Sequence, residues 1–208
     1  MIQVHHLNNS RSQRILWLLE ELGTEYEIIQ HTRDSETNLA PDSLLAVHPL
    51  GKSPLIVDDG EVIIESGAIV EYIVRKYGNG ELATAYDSPD YPRYLQLLHY
   101  SEGSAMLPLM LNLYVGRLGD AGAPLQERIQ QEMNNHLGYL DSQLEGRDFF
   151  MGAELSAVDV QLSFAAQVGR MMGGLEGKDN LNGYLDRIHA RPAYLKAVEK
   201  GGPYPFGS

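Results

Sequence analysis

The chain has 208 residues, 43% of them apolar, so it can bury a substantial core as one large domain or two small ones. Its net charge is −12, and the acidic excess runs through both halves. Sequence-independent binding to DNA, RNA or an anionic membrane needs clustered Lys and Arg to displace counterions, so this balance excludes those partners.

Ile2 to Leu7 reads as a short strand, and Arg11 to Leu22 as a helix in which Ile15, Leu18, Leu19 and Leu22 recur at helical spacing. Gly23 ends it, and Tyr26 to Gln30 reads as a second strand, giving a right-handed βαβ crossover with parallel strands. Thr32 to Ala40 is polar loop, and Pro41 to Val47 is a short irregular helix. Pro54 to Asp58 and Glu61 to Ile64 flank Asp59-Gly60, a two-residue turn that pairs them as an antiparallel hairpin. From Ser66, the positions Ile69, Ile73, Val74 and Tyr77 form the apolar face of a third helix, stopped at Gly78-Asn79-Gly80.

Residues 78 to 90 have linker composition, and beyond them only helices are predicted. Tyr91 to Arg117 reads as one long helix bent by Pro108. Leu125, Ile129, Met133, Leu137, Leu140 and Leu144 form one stripe on the next helix. Ser156 and Asp159 form a capping box, with Leu155 and Val160 at the hydrophobic staple positions, which marks a strong helix start. Leu181 to Ala190 and Ala193 to Glu199 are two further short helices, and GGPYPFGS reads as a loosely held tail. Residues 1–77, 78–90 and 91–208 are thus an α/β domain, a linker and an all-helical domain.

The chain contains no cysteine, hence no disulfide, no thiolate nucleophile and no sulfur ligand; any thiol chemistry must use a thiol from outside. No metal is expected: His5 and His6 are adjacent on a strand and point to opposite faces, and the other histidines are scattered. Neither a signal-peptide pattern nor a membrane-length apolar run is present, so a soluble cytoplasmic protein is expected. Gly51-Lys52-Ser53 has the ending of a phosphate-binding loop, but the first glycine position is Ala46 and Pro54 forbids the helix that must follow.

What remains is the arrangement around Pro54 and Ser66. At Ile64-Glu65-Ser66 a strand gives way to a helix, where free N–H groups, a hydroxyl and the helix dipole favour a carboxylate. Glu65 beside it would hold an ammonium. The two together suit the amino-acid end of a γ-glutamyl group; the plain alternative is an ordinary cap and a solvated charge.

The order βαβ, linker, ββα, then an all-helical half, with Asn9 to Gly23 (NSRSQRILWLLEELG), Val47 to Ile56 (VHPLGKSPLI), Glu65 to Ile73 (ESGAIVEYI) and Leu155 to Phe164 (LSAVDVQLSF), resembles the cytosolic glutathione transferases of the serine type, bacterial and fungal-like branch. The resemblance covers essentially the whole chain. It implies a thioredoxin-like N-terminal domain with a cis-proline at Pro54, whose preceding residue, Ser53, pairs its backbone with the cysteinyl part of glutathione. Glu65 and Ser66 would hold the γ-glutamyl end and Lys52 the glycyl carboxylate, whereas His48 belongs to the loop.

In the same resemblance a hydroxyl in Asn9-Ser10-Arg11-Ser12 donates to the glutathione thiolate, the nucleophilic form of the thiol. Ser10 is the favoured donor, with Arg11 in electrostatic support and Asn9 and Ser12 as alternatives in a shifted register. Ser10 and Gln13 also fit a capping box for the first helix. The second substrate, a small hydrophobic electrophile, is expected in the cleft between domains against Tyr100, Glu102, Ser104, Leu107 and Leu111. A glutathione-dependent peroxidase and a non-catalytic binding module are the competing readings. The resemblance also implies a homodimer and a role in detoxification.

Overall fold

The computed structural model describes residues 1–207. Strand β1 (Ile2–Leu7) alternates its side chains between two covered faces, which is why it is buried almost throughout. It pairs in parallel with β2 (Tyr26–His31) and antiparallel with β3 (Leu55–Asp58), and β3 pairs with β4 (Glu61–Ile64), giving the order β2-β1-β3-β4. The hairpin turns at Asp59 and Gly60, both with positive φ (51° and 85°), the left-handed pair that a two-residue turn requires.

Two helices join the sheet to make the first core. Helix α1 (Ser12–Glu21) is buried continuously from Ser12 to Leu19, and α3 (Ser66–Tyr77) buries Ile69, Val70, Ile73 and Val74. Burial this complete needs cover on more than one side of α1, and α9 (Pro192–Gly201), near the far end of the chain, supplies it. The Trp17 and Tyr194 rings meet edge to face at 5.4 Å, Gln13 donates to the Ala197 carbonyl at 2.7 Å, and Arg191 grips Glu21 through two bonds of 2.6 and 2.8 Å. The other face of the sheet carries the short helix α2 (Asp42–Leu45), whose Leu44 packs with Leu7 and Leu55.

The chain divides into two compact units, and the one just described comprises Met1–Ala83 together with the chain from His189 onward. The sequence assigns residues 91–208 to a single helical domain; α9 instead belongs with α1, because the amphipathic pattern shows that a helix has a buried face but not which partner it covers. Near the end of the chain a 3₁₀ turn at Pro205–Gly207 sets the Phe206 ring tilted against Tyr204, with ring centroids 5.2 Å apart.

The second unit, Thr84–Ile188, is helical. The expected long helix is two, α4 (Tyr91–Tyr100) and α5 (Met106–Gly116), joined by a π-helical stretch, Ser101–Ala105. The distortion lies one turn before Pro108, since a proline ring crowds the carbonyl four residues back, here Ser104 inside the π stretch. Helix α6 (Ala123–Gln143) buries Ile129, Met133, Leu137 and Leu140, but Leu125, the first residue of the predicted stripe, is exposed in the opening turn.

Helix α7 (Ala157–Met171) is the buried centre of this unit. Its fully buried Asp159 accepts from the Ser156 N–H (2.8 Å), the Ser156 hydroxyl (2.6 Å) and the Phe150 N–H (2.8 Å). Burial pushes this carboxyl up to about 6, against the pull of those donors. Helix α8 (Asp179–His189) follows. Among the described residues no helix is long and apolar enough to cross a membrane.

Candidate active site

Three segments of the first unit converge beyond the end of β1. The loop from Asn8 to Arg11 turns sharply at Asn9, whose φ of 51° lies in the left-handed region that Asn tolerates better than most residues. Arg33, which the sequence reading passed over, braces this loop: its backbone N–H donates to Asn8 Oδ1, and its guanidinium to the carbonyls of Asn8, Asn9 and Asn38. Its only sequence signal is a lone cation in a polar loop.

Ser10, 5% exposed, does not form the expected capping box with Gln13. The helix begins two residues later at Ser12, and the Gln13 amide is drawn instead to α9. Ser10 Oγ accepts the Ser12 N–H (3.2 Å), lies 2.8 Å from Ser12 Oγ and sits 3.5 Å from Ser53 Oγ. Ser12 is fully buried and faces inward to Leu7 and His6. Arg11 flanks the loop, partly exposed, at the N-cap position of α1.

The second segment is the approach to β3. The Ser53–Pro54 peptide bond is cis, and the ladder pairings of β3 begin only at Leu55, leaving the Ser53 backbone outside the sheet register. The Ser53 hydroxyl donates to the His5 carbonyl at 3.1 Å, which anchors this segment to β1. Lys52 is exposed, and His48 accepts the Leu50 N–H at 3.3 Å, a loop contact. Behind the site His5 Nδ1 meets His31 Nε2 at 3.0 Å, and His31 Nδ1 meets Ser43 Oγ at 2.7 Å; burial lowers the pKa of both rings, which favours their neutral forms.

The third segment is the start of α3. Glu65 is exposed and held at φ 67°, a left-handed backbone that a non-glycine residue adopts only where its surroundings enforce it. Ser66, 4% exposed, opens the helix, and Arg14 on α1 donates to Ser66 Oγ at 2.5 Å. That bond occupies a lone pair and leaves the Ser66 proton free to donate, while a cation stands behind the helix N-terminus. Arg14 was also missed; a cation directly ahead of the apolar run 15–19 of α1 was the available signal.

The suggested electrophile residues all lie in the second unit. Tyr100 is tied to α6, its hydroxyl 2.5 Å from His136 Nδ1, and burial raises its pKa to about 12. Glu102 and Ser104 are half-buried on the π stretch, and Leu107 and Leu111 expose 58% and 41% of their surface. Among the described residues no cluster of His, Asp and Glu could hold a metal ion.

A four-stranded mixed sheet with a cis-proline ahead of β3, in a chain whose other unit is helical, defines a thioredoxin-like fold joined to a helical unit. Comparison with known proteins narrows the class. Residues 1–75 match the glutathione S-transferase N-terminal domain and residues 98–192 the glutathione S-transferase C-terminal domain. Glutathione S-transferase 3 of Schizosaccharomyces pombe is 36% identical over 217 aligned positions, covering 96% of this chain and 88% of that one. Glutathione S-transferase 1 of Saccharomyces cerevisiae is 29% identical, covering 96% and 95%. A solved glutathione S-transferase from Actinobacillus pleuropneumoniae superposes with a TM-score of 0.89 at 32% identity, over 99% of this chain and 94% of that one. The chain belongs to the glutathione S-transferase family and is an enzyme of that kind.

Proposed function

We propose that this transferase activates glutathione through the Ser10 hydroxyl, which donates to the thiolate for attack on a small hydrophobic electrophile. The observation that carries the reading is the 3.5 Å approach of Ser10 Oγ to Ser53 Oγ, which joins the catalytic loop to the cis-proline segment. In this reading the Ser53 backbone pairs with the cysteinyl unit and Lys52 meets the glycyl carboxylate. The Ser66 hydroxyl, with Arg14 behind it, takes the γ-glutamyl carboxylate, and Glu65 takes the ammonium. Asn9 and Arg11 shape the loop, and Ser12 supports Ser10 from behind because it is fully buried. Exposed Leu107 and Leu111 offer apolar surface to the electrophile, and the enzyme works as a homodimer.

A hydrogen bond to a charged group is worth about 1.5–3 kcal/mol, or about one to two units of thiol pKa. Ser10→Ala is therefore expected to lower kcat/KM for conjugation of a chloronitrobenzene by about 10- to 150-fold at neutral pH, while retention on glutathione-agarose persists. Equal rates in Ser10→Ala and the parent would sink the assignment. Turnover of an organic hydroperoxide that exceeds conjugation would favour the peroxidase reading.

A further inference from the structure

We infer that His6 receives the proton of the glutathione thiol through Ser10 and Ser12, a two-hydroxyl relay anchored at the C-terminal end of α9; the inference rests on the reading of Ser10 given above. The contacts are consecutive. Ser10 Oγ lies 2.8 Å from Ser12 Oγ, Ser12 Oγ lies 2.9 Å from His6 Nδ1, and His6 Nε2 lies 3.0 Å from the Gly201 carbonyl oxygen. The three side chains are 5%, 0% and 2% exposed, so bulk water does not compete along the chain.

Valence sets the direction of each bond. A carbonyl only accepts, so Nε2 of the neutral ring carries the hydrogen toward Gly201, and Nδ1 presents its lone pair to Ser12. Ser12 therefore donates to His6; the Leu7 carbonyl, the other acceptor of its proton, is farther, at 3.2 Å. The Ser12 oxygen accepts the Leu7 N–H at 3.1 Å and, on its remaining side, the Ser10 hydroxyl. In this resting polarity the Ser10 proton points inward, away from an arriving sulfur.

A bound thiol reverses the polarity. The S–H bond breaks and its proton passes to Ser10 Oγ, the Ser10 proton to Ser12 Oγ, and the Ser12 proton to His6 Nδ1. A neutral thiol and a neutral imidazole become a thiolate and an imidazolium, with no net charge created. Every hydrogen bond then runs outward, from His6 to Ser12, from Ser12 to Ser10 and from Ser10 to the thiolate. The bond that stabilises the nucleophile is thus the last link of the chain that deprotonated it. Ser12 and His6 are positioning residues, acting through Ser10.

The surroundings suit a proton that arrives only with substrate. Toward β2 the nearest titratable group is His31, itself paired with His5 on the opposite face of β1. Toward α1 stand neutral Gln13, bonded to α9, and Arg14, bonded to Ser66. On α9 the neighbouring cation, Lys200, is engaged with Glu20. Burial lowers the His6 pKa, and His31 adds to that, while the Gly201 carbonyl pulls the other way. In the free protein burial favours the neutral ring; in the complex the thiolate and the carbonyl end of α9 favour the cation.

The test uses the full-length protein with nitrogen-15-labelled histidine, recorded free and saturated with glutathione near neutral pH, alongside the ultraviolet absorbance of the bound thiolate. The free protein is expected to show His6 as the Nε2–H tautomer, and the complex to show both nitrogens protonated. In Ser12→Ala the ring should stay neutral on binding, and the bound thiol pKa should rise by about one unit. His6→Gln should raise it similarly; if that variant does not fold, the Ser12→Ala spectra decide alone. A neutral His6 in the parent complex with full thiolate absorbance overturns the relay and leaves the Ser10 reading standing. An unchanged thiol pKa in Ser10→Ala overturns both.

Discussion

Glu65 and Arg14 show how single residues shape the part of the site proposed to hold the γ-glutamyl group. A side chain at φ 67° costs on the order of 1–3 kcal/mol, and here the cost falls on an exposed carboxylate next to a helix start whose hydroxyl is already oriented by Arg14. Strain kept at an exposed position has no packing benefit to offset it; in the proposed function its benefit lies in where it directs the carboxylate. Glu65→Gly removes both strain and charge. It should leave the urea midpoint unchanged or raised, by up to about 1 kcal/mol of stability, while raising KM for glutathione. A variant that loses stability and keeps its KM would contradict this assignment of the carboxylate to binding.

Among the elements, α7 and the β1–β2 pair depend most on a few polar atoms. Asp159 serves two buried N–H groups and one hydroxyl, and Asp159→Ala would leave those donors without an acceptor. The expected loss is about 2–4 kcal/mol, read from urea unfolding; a loss below about 0.5 kcal/mol would mean that the box is dispensable. On β1 and β2, burial favours the neutral forms of His5 and His31, so the unfolded chain binds more protons than the native one below the ordinary histidine pKa of 6.5. Their contribution is present above that pH and is lost as pH falls through it. The urea midpoint should decline from about pH 6.5 downward, and the decline should be shallower in His31→Gln. Both elements were legible in the sequence, because a capping box and a β-branched strand are local signals. The π stretch at Ser101–Ala105 was not: its cause, Pro108, was visible, but the choice between a bend and a change of helical register depends on how α5 packs. Nor were Arg14 and Arg33, since their partners are carbonyls and hydroxyls brought together only by the fold.

At the scale of the whole chain, the most consequential feature is that residue 201 completes the environment of residue 6. The sequence places the first and last elements in different domains, because periodicity reports a buried face and is silent on its partner; the structure returns α9 to α1. Gly201 sits so close to α1 that an added Cβ would stand 2.3 Å from Gln13 Oε1 and 3.0 Å from Leu16 Cδ1. Gln13 cannot swing away freely, since its amide holds the Ala197 carbonyl. Gly201→Ala must therefore push the end of α9 outward and draw its carbonyl from His6. Overpacking of this kind costs about 1–3 kcal/mol, and the mutation touches none of the proposed glutathione contacts. The expected result is a lowered urea midpoint together with a lowered kcat, with KM for glutathione nearly unchanged, measured at a temperature where both proteins are fully folded. A loss of stability with kcat intact would mean that α9 is only a cover for α1. A loss of both would make α9 part of the machinery that sets the state of Ser10, the proposed thiol partner.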